Sequence, residues 1–266
     1  MDNRPIGIFD SGVGGLTVMK AVVNLLPQED IFYLADTMNM PYGNKTKEQL
    51  CRYTRQAMNY FLTHDVKLVV FACNTLSSVV LESIRQEYEL PILGTVKAGA
   101  QAALAASASK NIAVLATVNT VATHAYAKQI NSLDTQARVS ERACDPLAAM
   151  IEAGQTEGRP VEMVLQAALT GWNLDTIDAL VLGCTHFPFI RPLLASYLPS
   201  SVNIIDPAAA TAREVANWLQ KQALEHAADT REANKRFSVS GDPDAFSRVG
   251  HQLLPDLVTA AERVVL

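Results

Sequence analysis

Apolar positions along the chain follow two rhythms. Short, nearly continuous runs of aliphatic and β-branched residues alternate with longer stretches whose apolar positions recur every three or four residues. The short runs predict strands at 5–9, 30–34, 67–72, 91–93, 111–115, 137–141, 178–182, 202–205 and 236–239. Strands separated by helices in this way indicate βαβ units and an α/β fold with mostly parallel sheets. The helical stretches carry start signals. Thr46 and Gln49 form a capping box ahead of a periodic run reaching about Phe61. Asp206-Pro207 and Asp242-Pro243 each set a capping carboxylate before a proline at the first helical position.

A weak repeat organises these elements. Leu68-Val69-Val70-Phe71-Ala72-Cys73-Asn74-Thr75 can be laid over Leu180-Val181-Leu182-Gly183-Cys184-Thr185-His186, and the two cysteines lie 111 positions apart. Upstream, Pro5-Ile6-Gly7-Ile8-Phe9-Asp10-Ser11 overlays Asn111-Ile112-Ala113-Val114-Leu115-Ala116-Thr117 at an offset of 106. Two matches at nearly one offset predict two similar α/β halves. No linker rich in Pro, Gly or Ser separates them, so they are expected to share a broad interface.

Composition narrows the class. The 266 residues are 49% hydrophobic and 18% charged, enough for one large or two small cores and incompatible with disorder. A net charge of −5 gives no general electrostatic footprint for nucleic acid. The longest aliphatic run, 68–72, is far too short to span a membrane, and no signal-peptide core is visible. Cys51, Cys73, Cys144 and Cys184 include no CxxC pair, which predicts free thiols in a reducing cytoplasm.

Ligands of open parallel sheets bind beyond the carboxyl ends of the strands. Four segments place polar residues there. Asp10-Ser11-Gly12-Val13-Gly14-Gly15-Leu16-Thr17 allows close backbone approach and offers helix-start N–H groups to an anion. It is not a dinucleotide loop, because Thr17 stands where the third glycine belongs, and no Gly-Lys-Ser/Thr is present. A small carboxylate suits it better; a tight turn with an Asp cap is the plainer reading. Pro41-Tyr42-Gly43 need be no more than a turn.

The other two segments are the cysteine turns. Cys51, inside a helix, and Cys144 read as small buried hydrophobes. Cys73 and Cys184 each follow a buried strand and precede a helix, where the helix dipole is expected to depress the thiol pKa. A zinc site from Cys73, Cys184 and His186 lacks a fourth ligand, and a Cys–His nucleophile leaves the second cysteine unexplained. Two like acid/base groups, one from each half, suit inversion at a carbon: one removes a proton from one face while the other delivers one to the opposite face.

In these motifs the sequence resembles the glutamate racemases of the cofactor-independent aspartate/glutamate racemase superfamily. The resemblance rests on the segments 7–18, Pro41-Tyr42-Gly43, Ala72-Cys73-Asn74-Thr75 and 182–188, supported by Ile205-Asp206-Pro207, Thr211-Ala212-Arg213-Glu214 and Ser240-Gly241-Asp242-Pro243. They run in family order over nearly the whole chain. The resemblance implies interconversion of L- and D-glutamate without cofactor or metal, supplying D-glutamate for peptidoglycan. It implies two pseudo-symmetric α/β domains with the active site at their interface, one from 1–97 and 208–266, the other from 98–207.

Carried over by position, Cys73 would take the α-proton of the D-enantiomer and Cys184 that of the L-enantiomer. Asp10 would assist Cys73, and His186 with Glu152 would assist Cys184. Substrate contacts would come from Asp10, Ser11, Tyr42, Gly43, Asn74, Thr75, Thr117, Thr120, Thr185 and His186. The resemblance further implies a cytoplasmic homo-oligomer, a dimer, with no nucleic-acid or membrane partner. A racemase of aspartate or another small acid is the alternative within the superfamily; a non-catalytic small-carboxylate binding protein is the alternative outside it. The chain departs from the family where Asn39 and Lys97 stand.

Overall fold

The computed structural model describes residues 2–226 and 233–266. Within the expected domain ranges, residue 1 and residues 227–232 lie outside the described residues. In chain order the elements are β1 (Ile6–Asp10), α1 (Leu16–Leu25), β2 (Ile31–Ala35), α2 (Lys47–Thr63), β3 (Leu68–Phe71), α3 (Asn74–Val79), α4 (Leu81–Arg85), β4 (Ile92–Gly94) and α5 (Thr95–Ala106). There follow β5 (Asn111–Ala116), α6 (Val118–Thr123), α7 (Ala125–Leu133), β6 (Arg138–Ala143), α8 (Asp145–Glu152), α9 (Arg159–Leu169), β7 (Ala179–Gly183), α10 (Arg191–Ser196) and β8 (Asn203–Ile205). The chain closes with α11 (Pro207–Gln222), β9 (Lys235–Val239), α12 (Pro243–Leu253) and β10 (Glu262–Arg263).

The strands form two sheets, β10-β9-β2-β1-β3-β4 and β6-β5-β7-β8, and every described pairing is parallel. The second order repeats the β2-β1-β3-β4 part of the first, with β5 standing for β1 and β7 for β3. Cys73 therefore follows the third strand of one unit and Cys184 the equivalent strand of the other. Both faces of each sheet are covered. One side of the first sheet packs Ile8, Val70 and Tyr33 on α1 and α11, and the other packs Phe9, Phe71 and Val69 on α2. In the second sheet Leu115 and Leu182 face α8 and α9, while Val114 and Val181 face α5 and α7.

The nine predicted strands are present with ends displaced by a residue or two; β10, two exposed residues long, was not readable as a strand. The capping box at α2 is closed: Thr46 Oγ1 accepts from Gln49 N–H at 3.3 Å, and Thr46 N–H donates to Gln49 Oε1 at 2.9 Å. Asp206 and Asp242 cap α11 and α12. The expected domain limit at 97 falls inside α5, and Val96 already packs with the second sheet. Lys97 reaches Glu214 of α11 at 3.5 Å.

Candidate active site

The carboxyl ends of β1, β3, β5 and β7 meet at one cavity of about 390 Å³. Cys73 and Cys184 both line it, each almost fully buried. Ser11, Tyr42, Gly43, Asn74, Thr75, Thr117, Thr185 and His186 contribute to its walls as well. Three of the expected residues stand behind the wall. Asp10 has no exposed surface, and its Oδ1 accepts from Gly12 N–H at 3.0 Å while Oδ2 lies 3.4 Å from the Thr185 hydroxyl. Thr120 backs Thr117, whose hydroxyl donates to it at 3.0 Å. Glu152 sits beyond His186 and lines the smaller adjoining clefts.

The two thiols have different neighbours. Cys184 Sγ is 3.5 Å from His186 Nδ1, and His186 Nε2 is 2.5 Å from Glu152 Oε2. Burial works against the imidazolium, but the adjacent Cys184 and Glu152 outweigh it and hold the His186 pKa well above its ordinary value. Cys73 has no imidazole. Burial first, and then the Asp10 charge, push its thiol pKa far up, overriding the N–H groups of Leu76 and Thr75. The expected depression by a helix N-terminus is thus reversed at Cys73. Helix α3 has only six residues, too weak a dipole to offset the lost hydration. Burial likewise raises Asp10, to about 6, against the opposing pull of His186.

Two N–H groups of the glycine turn are taken up within the protein. Gly12 N–H is taken by Asp10, and Val13 N–H donates to both Glu152 oxygens at 3.1 Å. The glycines are needed because the other half comes so close: a Cβ on Gly12 would overlap the Glu152 carboxylate, and one on Gly14 would overlap Thr185 and lie 2.7 Å from the His186 ring. At Gly12 and Gly14 the missing side chains make room for packing between the two units, while Ser11 of the same turn lines the cavity.

Sequence reasoning missed several participants. Asp145 lines the cavity, accepts from Val118 N–H at 2.8 Å and abuts Gly43. Its Asp-Pro signal, the same as at Asp206-Pro207 and Asp242-Pro243, was available. Buried Asp36 accepts from the Tyr42 hydroxyl at 2.6 Å, from Ser240 at 2.7 Å and from Asn39 Nδ2 at 3.0 Å, so the departure at Asn39 serves to fix this loop. Tyr126 donates to Asn74 Oδ1 at 2.6 Å; nothing in its helical surroundings marks it out from a core tyrosine. Among the described residues no group of three or more His, Cys, Asp and Glu side chains is arranged to hold a metal ion, and no helix is long and apolar enough to cross a membrane.

Residues 6–215 match the Asp/Glu/Hydantoin racemase family model. The chain belongs to that family. This racemase is 37% identical over 254 residues to a glutamate racemase of Streptococcus pneumoniae serotype 19F (strain G54), covering 96% of each chain. Among solved structures it resembles a glutamate racemase isoform from Bacillus anthracis, with a TM-score of 0.93 at 30% identity over 100% of this chain and 99% of that one. A glutamate racemase from Francisella tularensis, solved in complex with D-glutamate, gives a TM-score of 0.90 at 32% identity, covering 99% and 98%. An aspartate racemase from Picrophilus torridus, 15% identical with a TM-score of 0.59, shares the racemase's fold.

Proposed function

We propose that the racemase interconverts L- and D-glutamate by passing the α-proton between two thiols, with no cofactor. The observation that carries this reading is that Cys73 and Cys184, at equivalent ends of β3 and β7, line one cavity. Curated relatives named as glutamate racemases favour glutamate over aspartate.

The environments of the two thiols suit opposite tasks. Cys73, buried beside Asp10, holds its proton and is the donor when L-glutamate reacts. Cys184 faces an imidazole that keeps its own proton, so a negative sulfur there has a cation 3.5 Å away. By this reading Cys184 takes the proton from L-glutamate and Cys73 returns one to the opposite face, leaving the pair reversed for the D-enantiomer. Removing the weakly acidic α-proton needs preorganised donors in a site shut off from water. Asn74 and the Ser11 hydroxyl supply them. The hydroxyls of Thr75 and Thr117, linked to each other and on to Thr120, and of Thr185, directed at Asp10, line the cavity as oriented contacts, with Glu152 supporting from behind. The two units, 1–97 with 208–266 and 98–207, act as the domains that enclose the substrate. In the cell the D-glutamate formed would serve peptidoglycan, and the enzyme would act in the cytoplasm as a dimer.

Incubation of the wild-type enzyme with either enantiomer in deuterated water tests the proposal. Deuterium should enter the α-position as optical rotation decays. Cys73→Ala and Cys184→Ala should each lower racemisation by at least about 100-fold. A substituted enzyme that racemises at the wild-type rate would remove that thiol from the mechanism.

A further inference from the structure

We propose that Tyr126 is a positioning residue for substrate recognition, acting through Asn74; this rests on the racemase reading of the cavity. Tyr126 belongs to α7, over the second sheet, and has no exposed surface. Its hydroxyl crosses to the first unit and donates to Asn74 Oδ1 at 2.6 Å. The Thr95 hydroxyl donates to the same oxygen at 3.1 Å.

A side-chain amide has one accepting end and one donating end, and which end faces the cavity decides what it recognises. A buried phenolic proton needs an acceptor. Asn74 Oδ1 is that acceptor. Were the amide turned over, Tyr126 would point its proton at an N–H group and the donor would be orphaned. The carbonyl end is therefore held on Tyr126 and Thr95, and Nδ2, two N–H donors without a lone pair, is left to the cavity that Asn74 lines. Such a group complements a carboxylate and rejects an ammonium. Fixing it sorts the substituents around the α-carbon, so that the α-hydrogen rather than another group lies between the sulfurs.

The tyrosine is itself held by two positions without side chains. A Cβ on Gly99 of α5 would come within 3.1 Å of one edge of its ring, and a Cβ on Gly183, the residue before Cys184, within 3.2 Å of the other. The ring passes through this slot, so one side chain touches both the strand end before Cys184 and the amide of Asn74.

Tyr126→Phe keeps the ring in the slot and deletes only the hydroxyl. We expect KM for both enantiomers to rise about tenfold with kcat within about threefold, since the carboxylate contact is made in ground and transition states alike. In an Asn74→Ala background the same substitution should change KM by less than about twofold, because the group through which it acts is gone. A KM within about twofold of wild type in Tyr126→Phe, or an equal effect in both backgrounds, overturns the proposal. If Tyr126→Phe does not fold, Thr95→Val, which removes the other donor, carries the same cycle. A wild-type enzyme that binds glutamate without racemising it would sink the proposed reaction instead, and the cycle would then be read in glutamate Kd.

Discussion

At the scale of single residues, burial is the strongest influence on the chemistry. Asp10 is fully buried, and lost hydration lifts its pKa from 3.8 to about 6. The folded state then holds this proton more tightly than the unfolded chain does. Its contribution to stability is present below pH 3.8 and is lost as pH rises through about 6. Asp10→Asn should therefore stabilise the fold at about pH 8 by up to about 3 kcal/mol and have little effect near pH 3.5, as read by urea denaturation at both values. Racemisation should fall in the same variant, separating the stability cost of the carboxyl from its use. The positions of both cysteines were legible because strand, small residue, cysteine and polar pair recur. The proton affinity of Cys73 was not, because sequence reports the helix start after Cys73 but not the depth of the surrounding wall or the neighbouring Asp10.

At the scale of elements, local signals and close packing make separate predictions. Removing the closed cap of α2 by Thr46→Ala should cost about 1 kcal/mol in thermal unfolding and change turnover by less than about twofold, since the cap is exposed and Thr46 does not itself line the cavity. Gly43→Ala should do the reverse. Its new methyl would collide with Asp145 across the two units and lie 3.2 Å from Thr117 Cβ, so kcat/KM should fall at least about tenfold. Asp145→Gly in the same chain should restore part of the loss. The helix starts at Thr46, Asp206 and Asp242 were legible since a cap needs only neighbours in sequence. The role of the glycine turn was not. Missing side chains at Gly12 and Gly14 look alike in sequence whether the space is filled by a ligand or by Glu152, Thr185 and His186 from elsewhere in the chain.

At the scale of the whole molecule, the architecture was read from alternation and the near-constant repeat offset, which the duplicated strand order β2-β1-β3-β4 and β6-β5-β7-β8 explains. Long-range polar ties escaped notice. Lys67, before β3 and away from the cavity, reaches Glu29 at 2.6 Å and the carbonyls of Asp2 and Leu224 at 2.7 and 2.8 Å, with both charged side chains buried. Lys67→Met would strand the Glu29 carboxylate and should cost about 3–5 kcal/mol in equilibrium unfolding, whereas replacing both partners by apolar residues should cost less. The duplication has an unequal outcome at its centre: one sulfur is attended by a carboxyl and its counterpart by an imidazole paired to Glu152. Mirror-image amino acids have identical free energies in water, so the catalyst's lopsidedness has to cancel from the quotient kcat/KM. Whichever handedness is turned over faster at saturation must also demand proportionally more substrate to reach half that speed.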